Sequence, residues 1–197
     1  MTLQNIGVIG AGTMGNGIAQ TCALCGFDVV MQDIAQGPLD NGMKTIQKSL
    51  DRLVAKEKIS TTDYEAALAR LKTTTDINAM ADRDLVIEAA SENIEIKLGV
   101  FNQLNEICPD STILATNTSS LSLTRTAAAS GRADRVIGMH FFNPVPLMAL
   151  VEVIRALQTS DQTYNAIEAL ANSLGKTAVS VKAVSYTHLT LPTIYSV

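Results

Sequence analysis

The sequence predicts an α/β protein with a doubly wound, mainly parallel sheet that is covered by helices on both faces. Stretches of strand length alternate along the chain with longer stretches that have the period of a helix. Several of the short stretches are apolar throughout, which is typical of parallel strands buried on both faces. With 197 residues, of which 47% are hydrophobic, the chain is long enough to fold as one domain around its own core.

The predicted strands and helices follow one another in a regular order. Glycine closes the first and the last helix, at Gly26 and Gly175, and Cys108-Pro109 ends a helix in the middle of the chain. We expect helices at 13–25, 39–58, 62–71, 94–107 and 163–174. We expect strands at 6–9, 27–31, 71–75, 85–89, 112–116, 135–141, 149–154 and 177–181.

The composition argues against several classes of protein. Asp and Glu outnumber Lys and Arg by 19 to 15, and this acidic balance argues against a nucleic-acid partner. No apolar run approaches the roughly 20 residues that a membrane-spanning helix needs, so we expect no membrane partner. The three cysteines, an odd number, indicate reduced thiols in the cytoplasm, and we expect no metal site.

The last fifteen residues, 183–197, differ in composition from the rest of the chain. They hold no Lys, Arg, Asp or Glu, but two of the four tyrosines and one of the two histidines. They show neither helical nor strand periodicity. The string from Val184 to Thr193 resembles a translated sequencing adapter, so we interpret this segment as a read-through tail foreign to the native protein. A genuine C-terminal tail is the alternative. We expect residues 1–182 to form the folded domain.

A glycine-rich turn follows the first predicted strand and opens the first predicted helix. Its first glycine allows a tight turn, its second allows the backbone to approach a pyrophosphate, and its third allows close packing of helix on strand. The helix N-terminus then offers free N–H groups to phosphates. The turn therefore predicts a dinucleotide site, and an ordinary flexible turn is the alternative. Its residues are Gly10, Ala11, Gly12, Thr13, Met14 and Gly15.

Asp33 ends the second predicted strand, where a dinucleotide-binding fold places an acidic residue. Its carboxylate would accept hydrogen bonds from the adenine-ribose hydroxyls and repel a 2′-phosphate, which favours NAD over NADP as the cofactor. A helix N-cap or a turn aspartate is the alternative. Together with the glycine turn, Asp33 predicts a Rossmann-type sheet, but this fold hosts many reactions and does not by itself define one.

Three further segments, 86–92, 115–120 and 138–146, fall where predicted strands end, and ligands of open α/β sheets meet at such ends. His140 is the only histidine outside the doubtful tail. Glu152 lies between Leu150 and Ile154 on one face of the next strand, where an unpaired carboxylate would be costly. We expect Glu152 to pair with His140, fix its tautomer and favour its imidazolium form.

These segments make the chain resemble the NAD-binding domain of the 3-hydroxyacyl-CoA dehydrogenases, and most closely their bacterial 3-hydroxybutyryl-CoA branch. The strings that carry the resemblance are Asn117-Thr118-Ser119-Ser120 and His140-Phe141-Phe142-Asn143-Pro144-Val145-Pro146, and it extends from about Ile6 to Lys182. It implies hydride transfer between NAD and the hydroxyl carbon of a 3-hydroxyacyl-CoA.

The resemblance also implies roles for particular residues. His140 would be the general base and Glu152 its partner. Ser119 and Asn143 would hold the substrate oxygen and the nicotinamide edge, with Ser119 shared between cofactor and substrate. Family pattern further places Glu92 and Lys97 beside the cofactor.

Four of these residues have a purely structural alternative. Ser119 would cap the following helix, Asn143 would form a turn before Pro144, and Glu92 and Lys97 would be solvated. Two other functions also stay open: a β-hydroxyacid dehydrogenase of another family, which relies on a lysine base, and an NAD-binding protein without catalysis.

A basic stripe lies on the helix predicted at 39–58. Lys44, Lys48, Arg52 and Lys56 recur every four residues, opposite the apolar face of that helix. Coenzyme A carries a 3′-phosphate and a pyrophosphate, so we expect Lys44 and Lys48 to contact substrate phosphates. A solvated helix face is the alternative.

The sequence departs from the family pattern after Val181-Lys182. The family continues with a Pro-Gly-Phe turn and a second, all-helical domain, which this sequence lacks. That domain normally supplies the dimer interface and one wall of the acyl pocket. We therefore expect a homo-oligomer only for the full-length parent, and NAD binding with little dehydrogenase activity from this chain. An exposed apolar patch is expected where the missing domain docks.

Overall fold

The fold was obtained from a computed structural model, which describes residues 3–118 and 122–182. The tail predicted at 183–197, and with it the interpretation of that segment, lies outside the described residues. Ser119 also lies outside them.

The described chain alternates strands and helices in the expected order. The strands are β1 Asn5–Ile9, β2 Asp28–Gln32, β3 Leu71–Thr74, β4 Leu85–Glu88, β5 Ile113–Thr116, β6 Val136–Phe141, β7 Leu150–Arg155 and β8 Thr177–Lys182. The helices are α1 Thr13–Leu24, α2 Gln36–Ala55, α3 Thr61–Arg70, α4 Ile94–Ile107, α5 Leu123–Ala129 and α6 Asp161–Ser173.

The strands form one sheet in the order β3-β2-β1-β4-β5-β6-β7-β8. Each neighbouring pair is parallel except β6 and β7, which are antiparallel. The strand order reverses between β1 and β4, which is the switch point where open α/β sheets bind their ligands. The predicted α/β, Rossmann-type, mainly parallel sheet is confirmed.

Apolar side chains cover both faces of this sheet. Ile6 and Val8 of β1 belong to a core cluster that also contains residues of α1, α2 and α6. Ile9, from the same strand, belongs to a second cluster, which contains residues of α4 and α5. Strand β4 is buried at each of its four positions, and its first three residues are apolar, because helices cover both sides of the sheet.

The helix predicted at 39–58 is shifted toward the N-terminus. It begins at Gln36, because Pro38 lies in its first turn, where a backbone N–H has no partner within the helix. It ends at Ala55, and Glu57 then adopts a positive φ of 54° that turns the chain away from the helix axis.

Three short elements were not predicted. Helix α5 has the sequence Leu-Thr-Arg-Thr-Ala-Ala-Ala, which carries no clear apolar period, and Ser122 caps it by accepting a hydrogen bond from the N–H of Arg125. Two 3₁₀ turns lie at Ile77–Met80 and Ala133–Arg135.

Two further properties concern possible partners. Within residues 3–118 and 122–182, no helix combines the length and the apolar character needed to cross a bilayer. In the same residues, no three His, Cys, Asp or Glu side chains are grouped so that they would hold a metal ion.

Candidate active site

The glycine turn connects β1 to α1 at the switch point of the sheet. Gly10 has a φ of +98°, and a Cβ there would lie 2.8 Å from the carbonyl oxygen of Ala89, so a side chain is excluded by conformation and by space. A Cβ on Gly15 would overlap the carbonyl oxygen of Gly10. These two glycines allow the close packing of β1, β4 and α1 that the motif requires.

Gly12, the middle glycine, differs from the other two. A Cβ at this position would meet no atom within 4 Å, so the space beside the Gly12 Cα is open. Gly12 is also the N-cap of α1, and no side chain caps the helix start at Thr13 and Met14. A helix N-terminus that is open in this way suits a pyrophosphate, because its N–H groups and dipole attract anions.

Asp33 lies beside this turn, just beyond the end of β2. Its Oδ2 accepts a hydrogen bond of 2.8 Å from the N–H of Ala11, and its Oδ1 accepts one of 2.8 Å from the N–H of Ile34. The N-cap of α2 is Ala35, so the alternative role of Asp33 as a helix cap is wrong. The half-buried carboxylate retains further lone pairs for a ribose hydroxyl.

His140 and Glu152 form the second part of the site. They lie directly opposite each other on the antiparallel strands β6 and β7. Nδ1 of His140 lies 2.7 Å from Oε2 of Glu152, and the side chains are 19% and 34% exposed. The ring of His140 also stacks at a tilt on Phe142, with 4.8 Å between ring centroids. The expected pairing of these two side chains is therefore present.

This pairing determines which nitrogen of His140 is free for chemistry. Because Nδ1 is bound to the carboxylate, Nε2 remains for a ligand. The carboxylate also favours a proton on Nδ1 and stabilises the ring when both nitrogens are protonated.

A second ion pair, which was not predicted from the sequence, lies at the end of β4. Nζ of Lys97 donates to Oε2 of Glu88 over 2.6 Å, and the two side chains are 2% and 1% exposed. Thr116 Oγ1 donates to the same oxygen, and the N–H of Ala90 donates to the other. The signal for this cluster was Glu88 itself, a carboxylate at the end of an apolar strand that needs a buried partner.

The structure excludes one of the structural alternatives for Lys97 and Glu92. A solvated Lys97 is wrong, because its ammonium is buried against Glu88. Glu92 is exposed and accepts a hydrogen bond of 2.7 Å from Thr118 Oγ1. The expectation that both residues lie beside the cofactor stays a prediction.

Asn117 links β5 to β6 and is the first residue of the string Asn117-Thr118-Ser119-Ser120. Its Oδ1 accepts a hydrogen bond of 2.9 Å from the N–H of Phe141, the residue after His140. The side chain of Asn117 therefore fixes the end of β6 relative to β5. A sequence pattern gives no signal for this contact, because its partner is a backbone group 24 residues away.

Asn143 follows β6 and precedes Pro144 through a cis peptide bond. It is exposed, and within the described part of the chain its side chain makes no hydrogen bond. It lies three residues beyond His140, at the carboxyl end of the same strand. Its expected contact with substrate and nicotinamide stays a prediction, as does the role of Ser119, which the structure does not describe.

Lys44 and Lys48 lie on the exposed face of α2. The helix passes beside the glycine turn, because a Cβ on Gly42 would lie 2.9 Å from the carbonyl oxygen of Ala11. The two lysines are solvated here and form no ion pair within residues 3–118 and 122–182. Their predicted contact with substrate phosphates stays a prediction.

Taken together, the glycine turn at the switch point and Asp33 beside it define a nucleotide-binding domain of the Rossmann type, and the acid-paired His140 lies at a strand end of the same sheet. Strand β6 lies three strands from β1, about 14 Å at the usual strand spacing. Comparison with known proteins makes the class specific. The chain belongs to the family described as "3-hydroxyacyl-CoA dehydrogenase, NAD binding domain", whose model matches residues 5–184. The expected family is confirmed, and its cofactor is NAD.

Relatives within this family are similar over nearly the whole chain. A probable 3-hydroxybutyryl-CoA dehydrogenase of Deinococcus radiodurans is 53% identical over 177 residues, which are 90% of this chain and 63% of that protein. The 3-hydroxybutyryl-CoA dehydrogenase of Clostridioides difficile is 47% identical, with the same two shares. This chain thus spans about 63% of the length of these relatives.

A solved structure agrees with this result. The crystal structure of (S)-3-hydroxybutyryl-CoA dehydrogenase from Ralstonia eutropha superposes with a TM-score of 0.91 at 51% identity. The match covers 93% of this chain and 65% of that one. The alternative of a β-hydroxyacid dehydrogenase of another family is therefore set aside.

Proposed function

We propose that this chain is part of a longer protein that oxidises (S)-3-hydroxyacyl-CoA, in particular 3-hydroxybutyryl-CoA, to 3-oxoacyl-CoA with NAD, and catalyses the reverse reduction. The observation that carries the proposal is the 2.7 Å contact between His140 Nδ1 and Glu152 Oε2, in a domain of this family. The names of the relatives support the choice of 3-hydroxybutyryl-CoA.

In the oxidation, the substrate C–O single bond becomes a carbonyl as the alcohol loses two hydrogens. The bound nicotinamide supplies the chemistry of accepting one of them as a hydride. Nε2 of His140 takes the hydroxyl proton, because its other nitrogen is held by Glu152. The ring then carries a positive charge, which the carboxylate of Glu152 stabilises.

Other residues bind and orient the reactants in this proposal. The backbone of the turn at Gly12 and the start of α1 hold the pyrophosphate, and Asp33 holds the adenine ribose. Asn143 and Ser119 orient the substrate oxygen and the nicotinamide edge. Glu92 completes the cofactor site, and Lys97, whose ammonium is buried against Glu88, lies beside it.

We further propose that residues 1–182 form the NAD-binding domain and that 183–197 is a foreign tail. The remaining length of the relatives would supply the dimer interface of a homo-oligomer and part of the acyl pocket. Leu147 and Met148, which follow Asn143, are exposed apolar side chains that such a domain would cover. The full-length protein would act in the cytoplasm, and the 197-residue chain alone would bind NAD with little turnover.

The proposal is tested by replacing His140 with alanine in the full-length protein. Loss of the general base is expected to lower the rate of 3-hydroxybutyryl-CoA oxidation by about 10²- to 10⁴-fold. The dissociation constant for NADH, measured by fluorescence titration, is expected to stay within about twofold of wild type. An unchanged rate would show that another group takes the proton.

The chain length is tested separately. NADH binding by the 197-residue chain, with turnover far below that of the full-length protein, is the expected result. Rapid oxidation of 3-hydroxybutyryl-CoA by the short chain would contradict the proposed role of the remaining length.

A further inference from the structure

A loop between β6 and β7, residues 142–149, carries Asn143 and connects the two strands of the His140–Glu152 pair. The loop is fixed internally by the carbonyl oxygen of Pro144, which accepts hydrogen bonds from the N–H groups of Leu147 and Met148. Val145 is the only one of these loop residues that is buried. The remaining residues of the loop are exposed or half-buried, so the position of the loop depends on a small number of anchors.

One anchor is the helix that starts at the glycine turn. A Cβ on Gly17 of α1 would lie 2.9 Å from Cβ of Val145 and 3.5 Å from Cδ of Pro146. The absence of a side chain at Gly17 therefore lets the loop pack directly on α1. Helix α1, which begins at the glycine turn, is thus in contact with the loop that carries Asn143.

The other anchor is Lys176. Its Nζ donates a hydrogen bond of 2.6 Å to the carbonyl oxygen of Val145 and one of 2.7 Å to that of Met148. The residue is 8% exposed. Within residues 3–118 and 122–182, no carboxylate lies within ion-pair distance of this ammonium, so the two loop carbonyls are its polar partners.

The backbone around Lys176 is also well defined. Gly175, with a φ of +68°, ends α6, and the N–H of Lys176 donates to the carbonyl oxygen of Ala171. The next residue, Thr177, donates its N–H to the carbonyl oxygen of Ala149 over 2.6 Å. Lys176 and Thr177 therefore bind three carbonyl groups of the loop, those of Val145, Met148 and Ala149.

A buried charge without a carboxylate partner is costly, and an apolar side chain would fill the same space without that cost. What the ammonium adds is a pair of charge-assisted hydrogen bonds to one defined loop conformation. We infer that Lys176 is a positioning residue, whose ammonium fixes the 142–149 loop on α1 so that Asn143 is held in place beside His140. This inference rests on the proposed function.

The charge state of Lys176 gives the inference a pH signature. Burial lowers the pKa of the Lys176 ammonium, and the thiols of Cys25 and Cys22 at the end of α1 oppose this shift. Both thiols are neutral below their own pKa values, which burial raises, to about 12 for Cys22. The anchor holds while the ammonium is charged and is lost as the pH rises through its lowered pKa.

The experiment compares three variants of the full-length protein. Lys176→Met removes the charge and keeps the length of the side chain, Lys176→Arg keeps the charge, and Lys72→Met is a matched control at an exposed lysine of β3. K176M is expected to lower kcat/KM for 3-hydroxybutyryl-CoA by about 10²-fold, the effect of a misplaced contact group, with NADH affinity within about twofold of wild type. K72M is expected to match wild type.

The pH profile separates positioning from general stability. Wild type is expected to lose activity at alkaline pH, and K176R is expected to keep it to higher pH, because a guanidinium stays charged there. An unchanged kcat/KM in K176M would overturn the inference. So would a K176M variant that loses NADH affinity and turnover equally, if K176R shows the same losses. If K176M does not fold, the comparison of wild type with K176R decides. Loss of activity at the same alkaline pH in both proteins would overturn the inference. Absence of turnover in wild type would instead refute the proposed function.

Discussion

Two ion pairs lie on one sheet, that of Glu88 on β4 and that of His140 and Glu152 on β6 and β7, with β5 between them. They differ in how far they are closed to solvent. Glu88 and Lys97 are almost fully buried, and both oxygens of the carboxylate are bound by groups of the protein. His140 and Glu152 are partly exposed, and the histidine keeps one nitrogen for a ligand. The comparison teaches that a satisfied, buried pair supports the fold, whereas an open pair is available for proton transfer.

The closed pair gives the largest expected effect. Lys97→Met leaves the carboxylate of Glu88 buried without its cation and is expected to lower the free energy of unfolding by about 3–5 kcal/mol. Adding Glu88→Gln removes the charge. The amide oxygen can still accept from the N–H of Ala90, and the amide nitrogen can donate to Thr116 Oγ1, so the double variant is expected to recover most of the loss. Chemical denaturation of the three proteins measures both changes.

This prediction is contradicted if Lys97→Met has the same free energy of unfolding as wild type. It is also contradicted by a double variant that is no more stable than Lys97→Met. Either result would mean that the buried pair does not stabilise the fold in the way its geometry indicates.

The open pair is expected to show the opposite behaviour. Glu152→Gln removes the charge that stabilises the imidazolium and is expected to lower the rate of 3-hydroxybutyryl-CoA oxidation by about 10²-fold. Its effect on the free energy of unfolding is expected to stay below about 1 kcal/mol, because the pair is partly solvated. Steady-state kinetics and denaturation of the same protein measure the two quantities.

Glu106→Gln is the matched control, because Glu106 is an exposed carboxylate of α4. It is expected to change neither quantity. A Glu152→Gln variant that loses stability but not rate would place this pair in the same class as Glu88 and Lys97.

The glycine turn repeats the contrast between closed and open positions. Gly15→Ala puts a Cβ into the carbonyl oxygen of Gly10 and is expected to cost about 1–3 kcal/mol of stability. Gly12→Ala places a methyl group in open space and is expected to leave the melting temperature unchanged. It is expected to weaken NADH binding by about tenfold, because the methyl group occupies space beside the pyrophosphate. Equal NADH affinity in Gly12→Ala and wild type would remove Gly12 from the cofactor site.

The smallest effect is expected on the open surface of α2. Replacing Lys44 and Lys48 together with alanine is expected to raise the KM for 3-hydroxybutyryl-CoA by about two- to fivefold at low salt. The difference is expected to disappear in high salt, because both side chains are exposed. Replacing Lys58, an exposed lysine just beyond the helix, is the control. Equal KM values at low salt would leave the two lysines as solvated residues.

Local sequence patterns were sufficient to predict where the glycine turn and Asp33 lie in the fold. The glycine turn and Asp33 lie within one β-α-β unit, so their spacing along the chain reflects their positions in space. His140 and Glu152 could also be predicted, because a single histidine and a carboxylate on an apolar strand face restrict the choice of partner.

Long-range contacts were not predictable in the same way. Three contacts join groups that are distant in the sequence. Glu88 and Lys97 are 9 residues apart, Asn117 and the backbone of Phe141 are 24 apart, and Lys176 and the carbonyl group of Val145 are 31 apart. Two of these three contacts end on a backbone atom, which leaves no trace in the identity of the partner residue. They depend on strand order and side-chain direction, which no local period specifies.

The most direct measurement is a double-mutant cycle on the rate of 3-hydroxybutyryl-CoA oxidation with His140→Gln, Glu152→Gln and both changes in the full-length protein. If Glu152 acts through His140, the double variant is expected to be no slower than His140→Gln alone, because the carboxylate has no role once the imidazole is gone. Losses that multiply would show that the two side chains act independently, and would contradict the proposal that they work as one proton-transfer unit.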